Sequence, residues 1–182
     1  MLSSAGIALV TLTTTAVLAV AQGCTSNTNA HFNLQAVYTK APPEGPTSVH
    51  LQILHVQTVP RQSWQVLTAG SSSSYTSEFM TNGVLSGTLP SNPMQRTTGI
   101  PLAVGETPTF QSLYPYPIGW AGYCLVTTGA TSQLAVSGQT DQWALCSNST
   151  AGGRLDVVYS PTSNHPHYNI ATCNSVSIEL IP

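Results

Sequence analysis

The chain has 182 residues, with only four Lys or Arg against six Asp or Glu and a net charge of −2. Cations so few and so dispersed leave no basic footprint for nucleic acid or an anionic lipid surface. The length allows one domain with a full core.

Residues 1–21 contain no acidic residue and end in Ala19-Val20-Ala21, a small-x-small pattern before Gln22. They read as a secretory signal peptide. Thr11, Thr13, Thr14 and Thr15 interrupt a span that a membrane anchor would keep apolar. Cleavage leaves residues 22–182 as a single secreted domain, with no membrane partner once the leader is gone. Its four cysteines are Cys24, Cys124, Cys146 and Cys173. An even count in an oxidising compartment implies two disulfides, with three connectivities open. The expected pairs are Cys124–Cys146, a clip within the central strands, and Cys24–Cys173, a tie for the N-terminus. No C-x-x-C spacing points to structural zinc.

The first strand follows in 31–38, where Phe32, Leu34 and Ala36 alternate with polar residues. Prolines at 42, 43 and 46 end it. Residues 49–56 alternate again up to Pro60, and 63–67 form a third strand. Asn82-Gly83, between Phe79-Met80 and Val84-Leu85, has the chemistry of a tight hairpin turn. The prolines of 89–110 suggest irregular chain with a short edge strand at 100–104. Apolar runs at 123–126, 134–136, 143–146 and 155–159, parted by Gly, Ser, Thr and Asn, predict a central β-meander. Strict alternation at 176–180 marks a closing strand. No helical period is sustained beyond the leader. The expected fold is all-β: one compact antiparallel β-sandwich or closed barrel with two disulfides. A β-trefoil is the competitor, with Trp64, Trp120 and Trp143 as its threefold blocks.

The run Trp143-Ala144-Leu145-Cys146, the strand from Arg154 to Tyr159 and the closing Cys173-Asn174-Ser175-Val176-Ser177-Ile178 form a pattern with Phe32-Asn33-Leu34-Gln35-Ala36. It resembles small secreted fungal proteins with a domain of unknown function, and distantly the PhiA-type fungal cell-wall proteins. The resemblance implies a secreted or wall-associated all-β protein, with no catalytic residue to carry over.

Chemistry-bearing residues are sparse. His165 and His167 stand at i, i+2 in an extended loop and could join His31 at a copper or zinc ion. Exposed loop histidines are the simpler reading, so neither metal nor cofactor is expected. Asp141 and Asp156 are the only carboxylates worth nominating as a glycosidase pair. Asp141 more simply belongs to a turn and Asp156 to an outward strand position. Gly83-Val84-Leu85-Ser86-Gly87 has its serine misplaced for a nucleophile elbow. No catalytic residue is therefore expected. Tyr114 and Tyr116, held by alternate prolines beside Trp120, form a candidate sugar-stacking surface. Asn148-Ser149-Thr150 is the single N-glycosylation sequon. The functional expectation is a non-enzymatic, wall- or matrix-associated protein whose partner is cell-wall polysaccharide or a host surface. A carbohydrate-binding or host-interacting module and a small hydrolase are the alternatives.

Overall fold

A computed structural model describes residues 23–40, 45–70, 77–89, 92–113, 115 and 117–181. The expected leader at 1–21 lies outside them, as do Tyr114 and Tyr116. The strands are β1 (Asn29–Tyr38), β2 (Ser48–Val59), β3 (Gln62–Ala69), β4 (Ser77–Thr81), β5 (Val84–Leu89) and β6 (Asn92–Gly99). They continue with β7 (Thr109–Leu113), β8 (Tyr123–Thr128), β9 (Thr131–Val136), β10 (Trp143–Asn148), β11 (Arg154–Tyr159) and β12 (Asn174–Ile181). The helical elements among the described residues are single 3₁₀ turns at Ser149–Ala151 and Ile170–Thr172. None is long and apolar enough to cross a membrane.

Nine strands, in the order β1-β4-β5-β6-β7-β3-β11-β10-β12, close an antiparallel barrel through the pairing of β12 with β1. β2 pairs with both β1 and β3, and the β8–β9 hairpin attaches to β12. The tryptophans do not form a threefold: Trp64 is on β3, Trp143 on β10, and Trp120 precedes β8 outside any strand.

Local chemistry explains the elements. In β1 the alternation buries Phe32, Leu34 and Ala36 in the barrel, and a bulge at His31 (φ 51°) shifts the β4 pairing. Asn82 and Gly83 both have positive φ, as a two-residue hairpin of this twist requires. Gly83 is doubly constrained, because a Cβ there would stand 2.9 Å from the Tyr123 carbonyl oxygen. Within the irregular chain expected at 89–110, residues 92–99 form the strand β6, while 100–108 are irregular and the edge strand expected at 100–104 is absent. β6 passes from the pair Leu89↔Asn92 to Thr88↔Arg96, so residues 93–95 have no partner in register. Pro93 sits in that break, where its missing N–H costs no ladder bond.

The expected meander is also corrected. β8–β9 and β10–β11 are hairpins, but β12 lies between β9 and β10, with Glu179 opposite Gln133 and Val176 opposite Trp143. Insertion of the closing strand buries Val176 and Ile178 in the main core, beside Trp143, Leu145, Leu134 and Leu67. Cys124 and Cys146 are thereby placed three strand positions apart, beyond the reach of a disulfide. The bridges are Cys24–Cys124 and Cys146–Cys173, not the expected pairs. Both cysteines of the hairpins face away from the barrel interior. Cys124 packs with Val126 and Ala135, and Cys146 with Ala144, Val158 and Tyr168.

Part of the barrel interior is polar. Gln65 is fully buried, donates to Ser63 Oγ at 2.8 Å and accepts from Thr97 Oγ1 at 2.5 Å. Such a network is tolerable because its members satisfy one another.

Candidate functional site

The β10–β11 hairpin has two covered faces. Leu145 and Val157 point into the barrel. The register sets Ala144 opposite Val158, Cys146 opposite Asp156, and Asn148 opposite Arg154. Directly opposed residues share a face, so these pairs form the outer surface, apolar at one end and polar at the other.

The chain after β11 folds back as a wall over this surface. Tyr168 bridges to Asn148, Ser149 N–H donates to the His167 carbonyl at 2.8 Å, and Cys173 is bonded to Cys146. The Tyr168 hydroxyl donates to the Gly105 carbonyl and accepts from Thr162 N–H, both at 3.0 Å. The opposite wall includes Glu106, Thr107 and Thr109, with Val56 and Gln57 brought in by the β2 bulge between His55 and Gln57. Between the walls is an open cleft of about 550 Å³, within the usual size of ligand sites.

Asp156 forms its floor. The residue is 3% exposed yet lines the cleft. Arg154 grips it with two bonds, Nε to Oδ1 at 2.6 Å and Nη2 to Oδ2 at 2.9 Å. Asn148 Nδ2 adds a third bond to Oδ2 at 2.7 Å. The hydrogen bond to Asp156 holds the Arg154 guanidinium above its ordinary pKa, against the opposing effect of partial burial. This bidentate clamp neutralises the floor while leaving it polar.

Asn148 is itself held. Its Oδ1 accepts from Thr150 N at 3.0 Å and Thr150 Oγ1 at 2.9 Å. Thr150 Oγ1 also meets His167 Nδ1 at 3.0 Å. His165 stacks on Tyr168, with ring centroids 4.3 Å apart at 17°, and its Nδ1 accepts from His167 N–H. That acceptance places the ring proton on Nε2, facing Glu106 Oε1 at 3.4 Å. The cleft therefore presents amide, guanidinium, imidazole, hydroxyl and carboxylate groups on a largely pre-positioned frame. That set suits an uncharged, hydroxyl-rich ligand, whose groups both donate and accept.

The nominated residues are only partly brought together. His165, His167, Asn148 and Asp156 meet in the cleft. Asp141 does not line it and is exposed, with Gln142 donating to it. The carboxylate pair therefore does not face a common ligand there. Asp156 is outward from the barrel, as expected, but it is buried. His31 lies beside Phe79, and among the described residues no cluster of three or more His, Cys, Asp or Glu could hold a metal ion. Trp120 is half-buried, edge-on to Tyr123 at 5.1 Å, with its ring closed over Gly122. A Cβ on Gly122 would stand 2.0 Å from that ring.

Sequence reasoning does not single out Arg154, Glu106 or Tyr168 as site residues. One signal was available. In a chain this poor in charge, Arg154 and Asp156 stand at i, i+2 with opposite sign, on one face of a strand. Glu106 and Tyr168 reach the cleft only through loop packing. Comparison with protein-family models, curated proteins and solved structures finds no match.

Proposed function

We propose that the chain is a secreted, non-enzymatic protein of a cell wall or extracellular matrix that binds polysaccharide in the outer cleft. The observation that carries this is the cleft floor, where buried Asp156 is fixed by Arg154 and Asn148. Residual donors and acceptors on these groups match the hydroxyls of a sugar, and their orientation is set before binding, which limits the entropic cost. Both disulfides, the sparse charge and the small-x-small pattern before Gln22 support an extracellular setting. The resemblance to secreted fungal wall proteins supports the wall. A carboxylate bonded three times is poorly suited to proton transfer, which favours binding over hydrolysis.

Retention on insoluble chitin, β-glucan and mannan tests this, using protein with an unmodified Asn148. Retention on one of them is expected, with loss on Asp156→Asn or His167→Ala in variants that keep the wild-type circular dichroism. No retention on any of them, or retention unchanged in both variants, overturns the proposal.

A further inference from the structure

The single sequon of the chain, Asn148-Ser149-Thr150, is built into the cleft. Taking the cleft as the ligand site proposed above, we infer that Asn148 is a glycosylation site whose glycan seats in that cleft, so that glycan and external polysaccharide exclude one another.

The orientation of the side chain carries this. Asn148 Oδ1 is turned to Thr150 N and Oγ1, and the amide nitrogen therefore faces Asp156 Oδ2 at 2.7 Å. The nitrogen that would bear the sugar is thus at the cleft floor, not on the outer surface. Arg154, His165 and His167 line the same space. The wall above is held by the Asn148–Tyr168 bridge and the Cys146–Cys173 disulfide, so that side of the cleft is fixed in place beside the glycan.

Modification must precede closure of the β10–β11 hairpin, since Nδ2 of the folded chain is engaged with a buried carboxylate. In the transfer, Nδ2 forms a bond to the anomeric carbon of an oligosaccharide carried on a polyprenyl diphosphate. The anomeric C–O bond breaks with its electron pair going to the diphosphate, one amide proton is released, and nothing is oxidised or reduced. The second N–H stays on Nδ2 and still donates to Asp156. The clamp survives, and the first sugar lies where a ligand would.

The experiment compares the full chain secreted from a eukaryotic cell with the same sequence exported to a bacterial periplasm lacking N-linked transfer. Peptide mass spectrometry should find hexosamine on Asn148 in the first and none in the second. Endoglycosidase should trim the native protein more slowly than the denatured one, on the order of tenfold, because cleavage then follows the opened population. The unmodified form should be retained on the polysaccharide and the modified form should not. An unmodified Asn148 after eukaryotic secretion, equal trimming of native and denatured protein, or equal retention of both forms by a polysaccharide overturns the inference. A protected glycan with neither form retained leaves the seating standing and brings down the polysaccharide reading alone.

Discussion

Cys24 is joined to Cys124 across a sequence separation of 100 residues, and this bond lays the N-terminal segment along the outer edge of β8. Thr25 N–H donates to the Leu125 carbonyl at 2.7 Å, and Leu125 N–H to the Ser26 carbonyl at 2.8 Å. A terminal strand edge that would otherwise invite pairing by another chain is thereby covered.

Replacing both partners, Cys24→Ser with Cys124→Ser, should cost about 4–5 kcal/mol on the loop-entropy model. The Cys146→Ser, Cys173→Ser variant, which opens a loop of separation 27, should lose about 3–4 kcal/mol. Urea unfolding of the two variants checks the order. Light scattering of the first should also report self-association through the uncovered β8 edge. A Cys24/Cys124 variant as stable as the parent would refute the fastening role.

The hydroxyl of Tyr123 is buried and has no partner among the described residues. Burial holds its pKa well above the ordinary 10.0. Below that pH the phenol is neutral in both states. Above it the unfolded chain releases a proton that the folded chain keeps, so stability falls as pH rises. Tyr123→Phe should remove this part of the alkaline loss and add about 1 kcal/mol at neutral pH by deleting an unsatisfied polar group. Thermal unfolding at pH 7 and above pH 10 tests both. Tyr159, also raised by burial and then by Asp141, leaves a residual dependence.

Arg154→Ala strands a buried carboxylate with only Asn148 as donor. A loss of about 2–3 kcal/mol is expected, the scale of hydrogen bonds to charged groups. Arg154→Lys should recover less than half of it, because an ammonium cannot reproduce two parallel bonds. Full recovery by Lys, measured by denaturant titration, would show that charge alone matters here.

Inside the barrel, Gln65→Ala removes the partner of both Ser63 and Thr97 and leaves a cavity. It should cost about 3 kcal/mol. Adding Thr97→Val should cost less than the sum of the two single changes, because the paired hydroxyl goes with it. Strict additivity in a double-mutant cycle would argue against the network.

The all-β class, the count of disulfides and most strand positions were legible in the residues themselves. Alternation is a local property: Phe32, Leu34 and Ala36, or Val176 and Ile178, declare an inward face from a period of two. Asn82-Gly83 declares its turn because positive φ is cheap there. Which strands become neighbours is not local. It depends on where β12 enters, and that entry between β9 and β10 separated Cys124 from Cys146 and set both disulfides. β6 was hidden because prolines mark irregular chain, and only the pairing shows that Pro93 falls in a break of register. The cleft was tertiary for the same reason. Asn148, Arg154 and Asp156 are near in sequence, but Glu106, His165 and Tyr168 join them only when two loops pack against the outer face of one hairpin. Periodicity fixes the direction of a side chain along its own strand; the long-range closure of the barrel decides what stands opposite it.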